Sequence, residues 1–117
     1  MASAKIFNVP ARWAANEKLG DLETTFTGDF NIAEDISGAA GIKETFARAW
    51  ESWRSDIRYV ANLAYALNHK SWERFDAGDQ ELCELYVDLY NKVCEAVWGD
   101  DSAYTDEERR IFFHLTD

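Results

Sequence analysis

His69 and Glu73 are the pair of side chains whose types and spacing best suit chemistry. Four residues apart on a helix, they would share one face, where they could ligate a metal ion or act as an acid–base pair. A catalytic zinc site normally takes three protein ligands, and the spacing supplies no third. A di-iron bundle site needs E-x-x-H motifs, which this chain lacks. We therefore interpret the two as an ordinary surface pair and keep a small metal-dependent enzyme as a secondary hypothesis.

The two cysteines and the acidic loop near the C-terminus do not form a reactive site either. Cys83 and Cys94 would lie about 16 Å apart along one helix, whereas a disulfide needs Cα atoms within about 7 Å. We interpret both as reduced, half-buried residues. Residues 100–111 carry Thr105 and Ile111 where a calcium-binding EF-hand loop needs Gly and Glu. Because phosphate-loop, C-x-x-C and G-x-S-x-G motifs are also absent, the sequence predicts no enzyme, no metal site and no cofactor.

The charge of the chain is strongly negative and unevenly distributed. Of its 117 residues, 12 are basic and 22 acidic, which gives a net charge of −10. Affinity for phosphate backbones and anionic membranes comes from Lys and Arg, so the composition argues against direct binding to either. No apolar run approaches the roughly 20 residues that span a bilayer, and no signal-peptide pattern opens the chain, so we expect a cytoplasmic protein. Residues 79–117 hold eleven acidic and three basic side chains, a net charge of −8.

The acidic residues of this last third have a helical pattern. Over residues 80–98, four of them fall within about 60° of one another, on a side about 130° from the middle of the apolar face. Like charges at this spacing cost a helix a few tenths of a kcal/mol each, so helix stability does not explain them. They form either a solvated surface that keeps the protein soluble or an interaction surface for a basic partner. The predicted partner-binding residues are Glu81, Glu84, Asp88, Glu95, Asp100, Asp101, Glu107 and Glu108.

The N-terminal 41 residues are predicted to be the less regular part of the chain. Proline at the start and glycine at the end predict a short helix over residues 10–20. Residues 21–30, with three threonines and alternating polarity, predict an irregular connection or a short strand. A capping-box pattern at Asn31 and Glu34 predicts a second short helix, and the glycines and serine of residues 37–41 predict a turn.

The middle of the chain has the heptad spacing of a packed helix. Residues 42–77 contain neither Gly nor Pro, and apolar residues recur at alternating steps of four and three. A single helix of this length would measure about 50 Å, whereas a domain of this size is about 35 Å across. The helix therefore bends near residues 55–56, or the molecule is elongated, or it dimerises along the seam; we expect a long or slightly broken helix. The seam residues are Phe46, Trp50, Trp53, Ile57, Val60, Ala64 and Leu67.

A turn at residues 78–79 connects this helix to the next, which predicts an antiparallel hairpin of about 42–75 and 80–98. Thr105 and Glu108 form a capping box for a last short helix. The sequence therefore predicts an all-α fold, a small helical bundle in one domain that spans the chain.

Two stretches resemble proteins of one family. NIAEDISGAAGIKETFARAWESWRSDIRYVANLAYALNHKSWE and the ending ERRIFFHLTD are similar to small acidic proteins encoded on bacterial plasmids, phages and other mobile elements. The resemblance covers roughly residues 30–117. It implies a mobile-element accessory protein, and small acidic proteins of that setting often inhibit host defence as DNA mimics that block restriction enzymes or as anti-CRISPR proteins. It assigns no site residues.

Charge and resemblance together favour one hypothesis. We expect a non-enzymatic acidic binding protein that engages a basic surface on a nucleic-acid-binding protein, such as a nuclease, and excludes the nucleic acid. A structural or regulatory helical homodimer that uses the heptad seam is the first alternative, and the metal-dependent enzyme is the second.

Overall fold

Helical periodicity continues through nearly all of the chain that the structure describes. The computed structural model describes the backbone of residues 16–116 and the side chains of residues 25–116. Within this range it consists of helices α1 (Asn16–Trp53), α2 (Ile57–Asp76), α3 (Gln80–Trp98) and α4 (Asp106–Thr116), with no strand. The predicted all-α bundle is therefore confirmed.

The first helix is longer than predicted. Residues 21–30 are helical, so the predicted connection or strand is wrong, and the chain stays helical past Gly20. The reason is that Phe26, Phe30 and Ala33, at steps of four and three, are buried against the core, a helical period that the intervening threonines and glycine hide. The part of the predicted helix over 10–20 that precedes residue 16 lies outside the described residues.

A glycine bends α1 where the sequence predicts a turn. Gly38 has φ +57° and ψ −136°, which is not helical, and it divides the helix into two segments. Residues with a Cβ rarely adopt this conformation, whereas glycine does so at little cost. The turn predicted over residues 37–41 is thus a sharp kink within α1.

The long predicted helix is broken a second time, between α1 and α2. The first ends at Trp53 and the second begins at Ile57, where the Asp56 carboxylate accepts a hydrogen bond from the Arg58 backbone N–H at 3.0 Å. The bend predicted near residues 55–56 is therefore confirmed. The first arm of the hairpin is therefore Ile57–Asp76 and not residues 42–75. The break needs neither Gly nor Pro, because the Asp56 side chain caps the start of a new helix.

Helix α2 is the central element, because the other three helices pack against it. Four of the seven seam residues, from Ile57 to Leu67, are buried in this packing and are not available along the seam to another molecule. The core side chains are Phe26, Phe30, Ile42, Ile57, Val60, Ala61, Leu63, Ala64, Ala66, Leu67, Tyr86, Leu89, Val93, Val97, Ile111 and Phe112.

The two C-terminal helices begin as their capping residues predict. The Asp79 carboxylate accepts a hydrogen bond from the Leu82 backbone N–H at 3.1 Å, and α3 follows over the predicted residues. At α4, Thr105 Oγ1 accepts from the Glu108 N–H at 3.1 Å, and a Glu108 carboxylate oxygen accepts from the Thr105 N–H at 2.9 Å. Both caps use side chains within three residues of the groups that they satisfy, so they can be recognised in a sequence.

A buried lysine joins the first three helices. Lys70 of α2 is 1% exposed, and its Nζ lies 3.1 Å from a carboxylate oxygen of Glu34, which is 11% exposed, on α1. The ammonium group also donates hydrogen bonds to Asn31 of α1 and to Glu73 one turn further along α2. From α3, the Tyr86 hydroxyl donates to the same Glu34 carboxylate. We call these five side chains the Lys70 cluster.

The Lys70 cluster replaces a predicted helix cap. Asn31 and Glu34 lie inside α1, not at its start, and their side chains contact α2 and α3. The capping-box prediction is therefore wrong, because the two polar residues pair with a buried cation across the core. A buried ammonium is expensive to desolvate unless its charge and its hydrogen bonds are satisfied, and here both are.

Alanine in place of Gly38, at the kink, should destabilise the fold, whereas alanine in place of Gly28, in the helical segment before the kink, should not. We expect Gly38→Ala to lower the free energy of unfolding by about 1–3 kcal/mol, because a Cβ strains this backbone conformation. Gly28→Ala, in a helical residue with open space around the added Cβ, should raise it by about 0.5–1 kcal/mol. Urea unfolding followed by circular dichroism measures both; effects of the same sign would contradict the kink.

Loss of the buried ammonium should destabilise more than loss of an exposed one. Lys70→Met leaves Glu34 buried with only the Arg74 guanidinium, 3.8 Å away, as a cationic neighbour. We expect a loss of about 3 kcal/mol in the free energy of unfolding. The matched change Lys92→Met, at an exposed position of α3, should stay within about 0.5 kcal/mol. Equal losses in the same unfolding assay would show that Lys70 contributes no more to the free energy of unfolding than an exposed lysine does.

Candidate functional site

The predicted acidic residues face solvent. Seven of the eight carboxylate side chains are exposed, and Glu108 is half-buried. On α3 the four acidic positions lie opposite the buried Tyr86, Leu89, Val93 and Val97. One side of this helix therefore closes the core while the other carries negative charge into water.

The ion pairs formed by the described side chains do not include these carboxylates. Among residues 25–116, the ion pairs join Arg48 to Glu44, Arg58 to Asp56, Lys70 to Glu34 and Glu73, Arg74 to the same two glutamates, and Arg109 to Asp106. None of these pairs includes any of the eight predicted residues. Two of the eight have neutral hydrogen-bond partners instead: Glu84 accepts from Gln80, and Glu108 belongs to the α4 cap.

Half of the predicted residues line two cavities that meet at Trp50. The first cavity, of about 770 Å³, lies between the second segment of α1 and α3 and includes Asp88 and Glu95. The second, of about 570 Å³, lies between the end of α1 and the loop after α3 and includes Asp101 and Glu108. We call the two together the Trp50 groove. Glu81, Glu84, Asp100 and Glu107 lie outside it.

The groove has an aromatic floor that the sequence analysis assigned to a buried seam. Phe46 and Trp50 are half-buried, with stacked rings whose centroids are 6.3 Å apart. They stay accessible because α1 ends at Trp53, so this part of the seam does not continue into α2. In the second cavity the Tyr104 hydroxyl donates to the Arg54 carbonyl oxygen, and burial raises the pKa of Tyr104. The signal for this floor was the i, i+4 aromatic pair at the end of a helix.

Carboxylates beside aromatic rings suit the recognition of organic cations. A Lys or Arg side chain gains from carboxylate pairing and from contact with the face of a Trp ring. The groove also contains cations of its own, Lys43 and Lys92 in the first cavity and Arg54 in the second. The site is therefore acidic at its edges without being uniformly negative.

His69 and Glu73, the candidates for chemistry, are engaged differently from each other. His69 is exposed, whereas the Glu73 carboxylate accepts a hydrogen bond from Lys70 in the cluster. This bond to Lys70 lowers the pKa of Glu73 below its ordinary value of 4.5. In the described part of the chain, no three His, Cys, Asp or Glu side chains come together as a possible metal site. The interpretation of the two as an ordinary surface pair is therefore wrong for Glu73, because its carboxylate pairs with the buried Lys70.

The cysteines are free and half-buried, as interpreted from the sequence. Burial raises the pKa of the Cys94 thiol, which keeps the unreactive thiol form. Between residues 16 and 116, no helix combines the length and the apolar character that membrane crossing requires.

Comparison with known proteins identifies no relative. No protein-family model, no curated protein and no solved structure matches the chain.

The contribution of Glu73 to stability should disappear in acid. Because its folded-state pKa is lowered, its carboxylate stabilises the folded protein above pH 4.5, and this stabilisation is lost as the pH falls through the folded-state pKa. We expect Glu73→Gln to be less stable than wild type at pH 7 and the difference to shrink steadily below about pH 4.5. Urea unfolding of both proteins between about pH 7 and pH 2.5 measures it. A difference that is constant with pH would exclude the ion pair as its cause.

Proposed function

We propose that this protein is a non-enzymatic acidic binding protein that engages a basic surface on a nucleic-acid-binding protein and excludes the nucleic acid. The observation that carries the proposal is the set of eight solvent-facing carboxylates, none of which takes part in an ion pair among residues 25–116. A surface of unpaired like charges raises the rate of encounter with an oppositely charged partner.

The density of the charges bears on how complete the mimicry of DNA is. Duplex DNA carries one charge per about 1.7 Å of its axis. Along α3, the four carboxylates from Glu81 to Glu95 extend over about 21 Å, roughly one per 5 Å. The acids of the following loop and of α4 supplement this row. A partner whose groove makes several separated phosphate contacts is therefore a better match than one that follows every phosphate.

The resemblance to acidic mobile-element proteins supplies the finer form of the proposal. The partner would be a restriction nuclease or a CRISPR effector complex, and the protein would act in the cytoplasm where these enzymes act. A homodimer would have less of the seam to use than the sequence suggests, because only Phe46, Trp50 and Trp53 of the seam lie outside the buried core.

Binding should weaken with salt, because it depends on charge. The measurement is the dissociation constant for immobilised, DNA-free nuclease or effector complex, determined from about 50 to 500 mM salt, over which the Debye length falls from about 14 Å to about 4 Å. We expect the dissociation constant to rise at least about tenfold over this range. An affinity that does not change with salt would rule out the proposed mechanism.

Charge at the proposed surface should matter more than charge elsewhere. The triple variant Asp88→Asn, Glu95→Gln, Asp101→Asn removes three exposed acids of the groove, and we expect it to weaken binding about tenfold or more, from about 0.5–1 kcal/mol per pair. The matched control removes three exposed acids from other helix faces and should stay within about twofold. Equal losses of affinity in the two triple variants would show that binding depends on net charge and not on the proposed surface. The control changes are Asp29→Asn, Asp35→Asn and Asp76→Asn.

A further inference from the structure

The first cavity of the Trp50 groove is bounded by two helical stripes. On α1, Phe46 and Trp50 follow one another at a spacing of one turn, and on α3, Leu85 and Leu89 do the same. With the polar residues that line them, the two walls extend over about eleven residues each, or about 16 Å. The groove is therefore about as long as three helical turns.

This groove is open because its two walls pack against a third helix. Both α1 and α3 pack extensively against α2 and make only sparse contact with each other. Phe46, Trp50 and Leu85 contact the core from the side and keep part of their surface exposed. Apolar surface held open between two helices is what an amphipathic helix buries when it binds in a groove.

The edges of the groove determine the charge of what it binds. Glu51, Asp88 and Glu95 stand on the walls of the first cavity, and Asp101 and Glu108 continue the acidic edge past Trp50. Five carboxylates thus outnumber the three cations of the groove. An occupant gains from Lys or Arg on its flanks and from apolar side chains on the face that contacts the floor.

A helix fits this site better than an extended strand. Residues 16–116 contain no sheet whose free edge could receive a strand, and helical walls present ridges and grooves at the spacing of a helical turn. Helices with clustered Lys and Arg are also a common means by which proteins contact nucleic acid.

We infer that the Trp50 groove binds a basic amphipathic helix of about three turns, with Phe46, Trp50 and Leu85 beneath its apolar face and the edge carboxylates beside its Lys and Arg side chains. This inference rests on the proposed function. It specifies which part of the partner is bound, namely the helix through which a basic protein would otherwise contact nucleic acid.

Two model peptides of one composition test the inference. The first repeats LKKLLKL twice and has helical periodicity; the second repeats LKLKLKL twice and has strand periodicity within each seven-residue repeat. Fluorescence anisotropy of labelled peptide with the full chain, at about 150 mM salt, gives the dissociation constants. We expect the helical peptide to bind at least about tenfold more tightly than the alternating one.

A neutral substitution on the wall of the groove provides the structural control. Ala47 lines the groove and is exposed, so Ala47→Gln should obstruct the site without disturbing the core, and we expect at least fivefold weaker binding of the helical peptide. Ala40→Gln, at an exposed position of α1 outside the groove, should change binding less than twofold. Circular dichroism and thermal unfolding of both variants show whether they fold as the wild type does.

The outcomes separate this inference from the proposed function. Equal affinity for both peptides, with no effect of Ala47→Gln and a clear loss in the triple variant of Asp88, Glu95 and Asp101, would overturn the groove inference and leave the acidic surface intact. No effect of the triple variant on either peptide would overturn both. Tight, helix-selective binding that Ala47→Gln and the triple variant each weaken would support both.

Discussion

The buried ammonium group of Lys70 is the constraint on which the arrangement of the helices depends. Burial of apolar side chains is a non-directional interaction, but a charge in the core must find its partners. Lys70 finds them in Asn31 and Glu34 of α1 and in Glu73 of its own helix, while Tyr86 of α3 holds the Glu34 carboxylate. A shift of α1 or α3 along α2 by one helical turn, about 5.4 Å, would take these side chains out of contact.

Two cations of α2 are engaged away from the acidic surface. Lys70 and Arg74, two of the few cations of the chain, direct their charge to Glu34 and Glu73 and do not reach the carboxylates of α3 or of the loop that follows. The Trp50 groove combines the stacked pair Phe46 and Trp50 with carboxylates of α3, of the loop after it and of α4.

Local signals in the sequence predicted the elements that local contacts determine. Helix α3 and the cap of α4 follow from Asp79, Thr105 and Glu108, which act within three residues. The kink of α1 and the break before α2 follow from one glycine and one capping aspartate. The pairing of Glu34 with Lys70, 36 residues apart, has no local signal, and Asn31 with Glu34 therefore resembled a cap. The exposed acids of α3 were predictable from helical periodicity. The groove was not, because its prediction requires the relative placement of α1 and α3, which α2 separates in the sequence.

A double-mutant cycle between Glu34 and Lys70 tests the central claim most directly. The free energy of unfolding is measured for wild type, Glu34→Gln, Lys70→Met and the double variant. If the buried pair sets the register of the helices, each single change leaves a charge without its partner, and the double change restores part of the loss, with a coupling energy of at least about 1.5 kcal/mol. Effects that add within about 0.5 kcal/mol would show that the two residues act independently and would contradict the account.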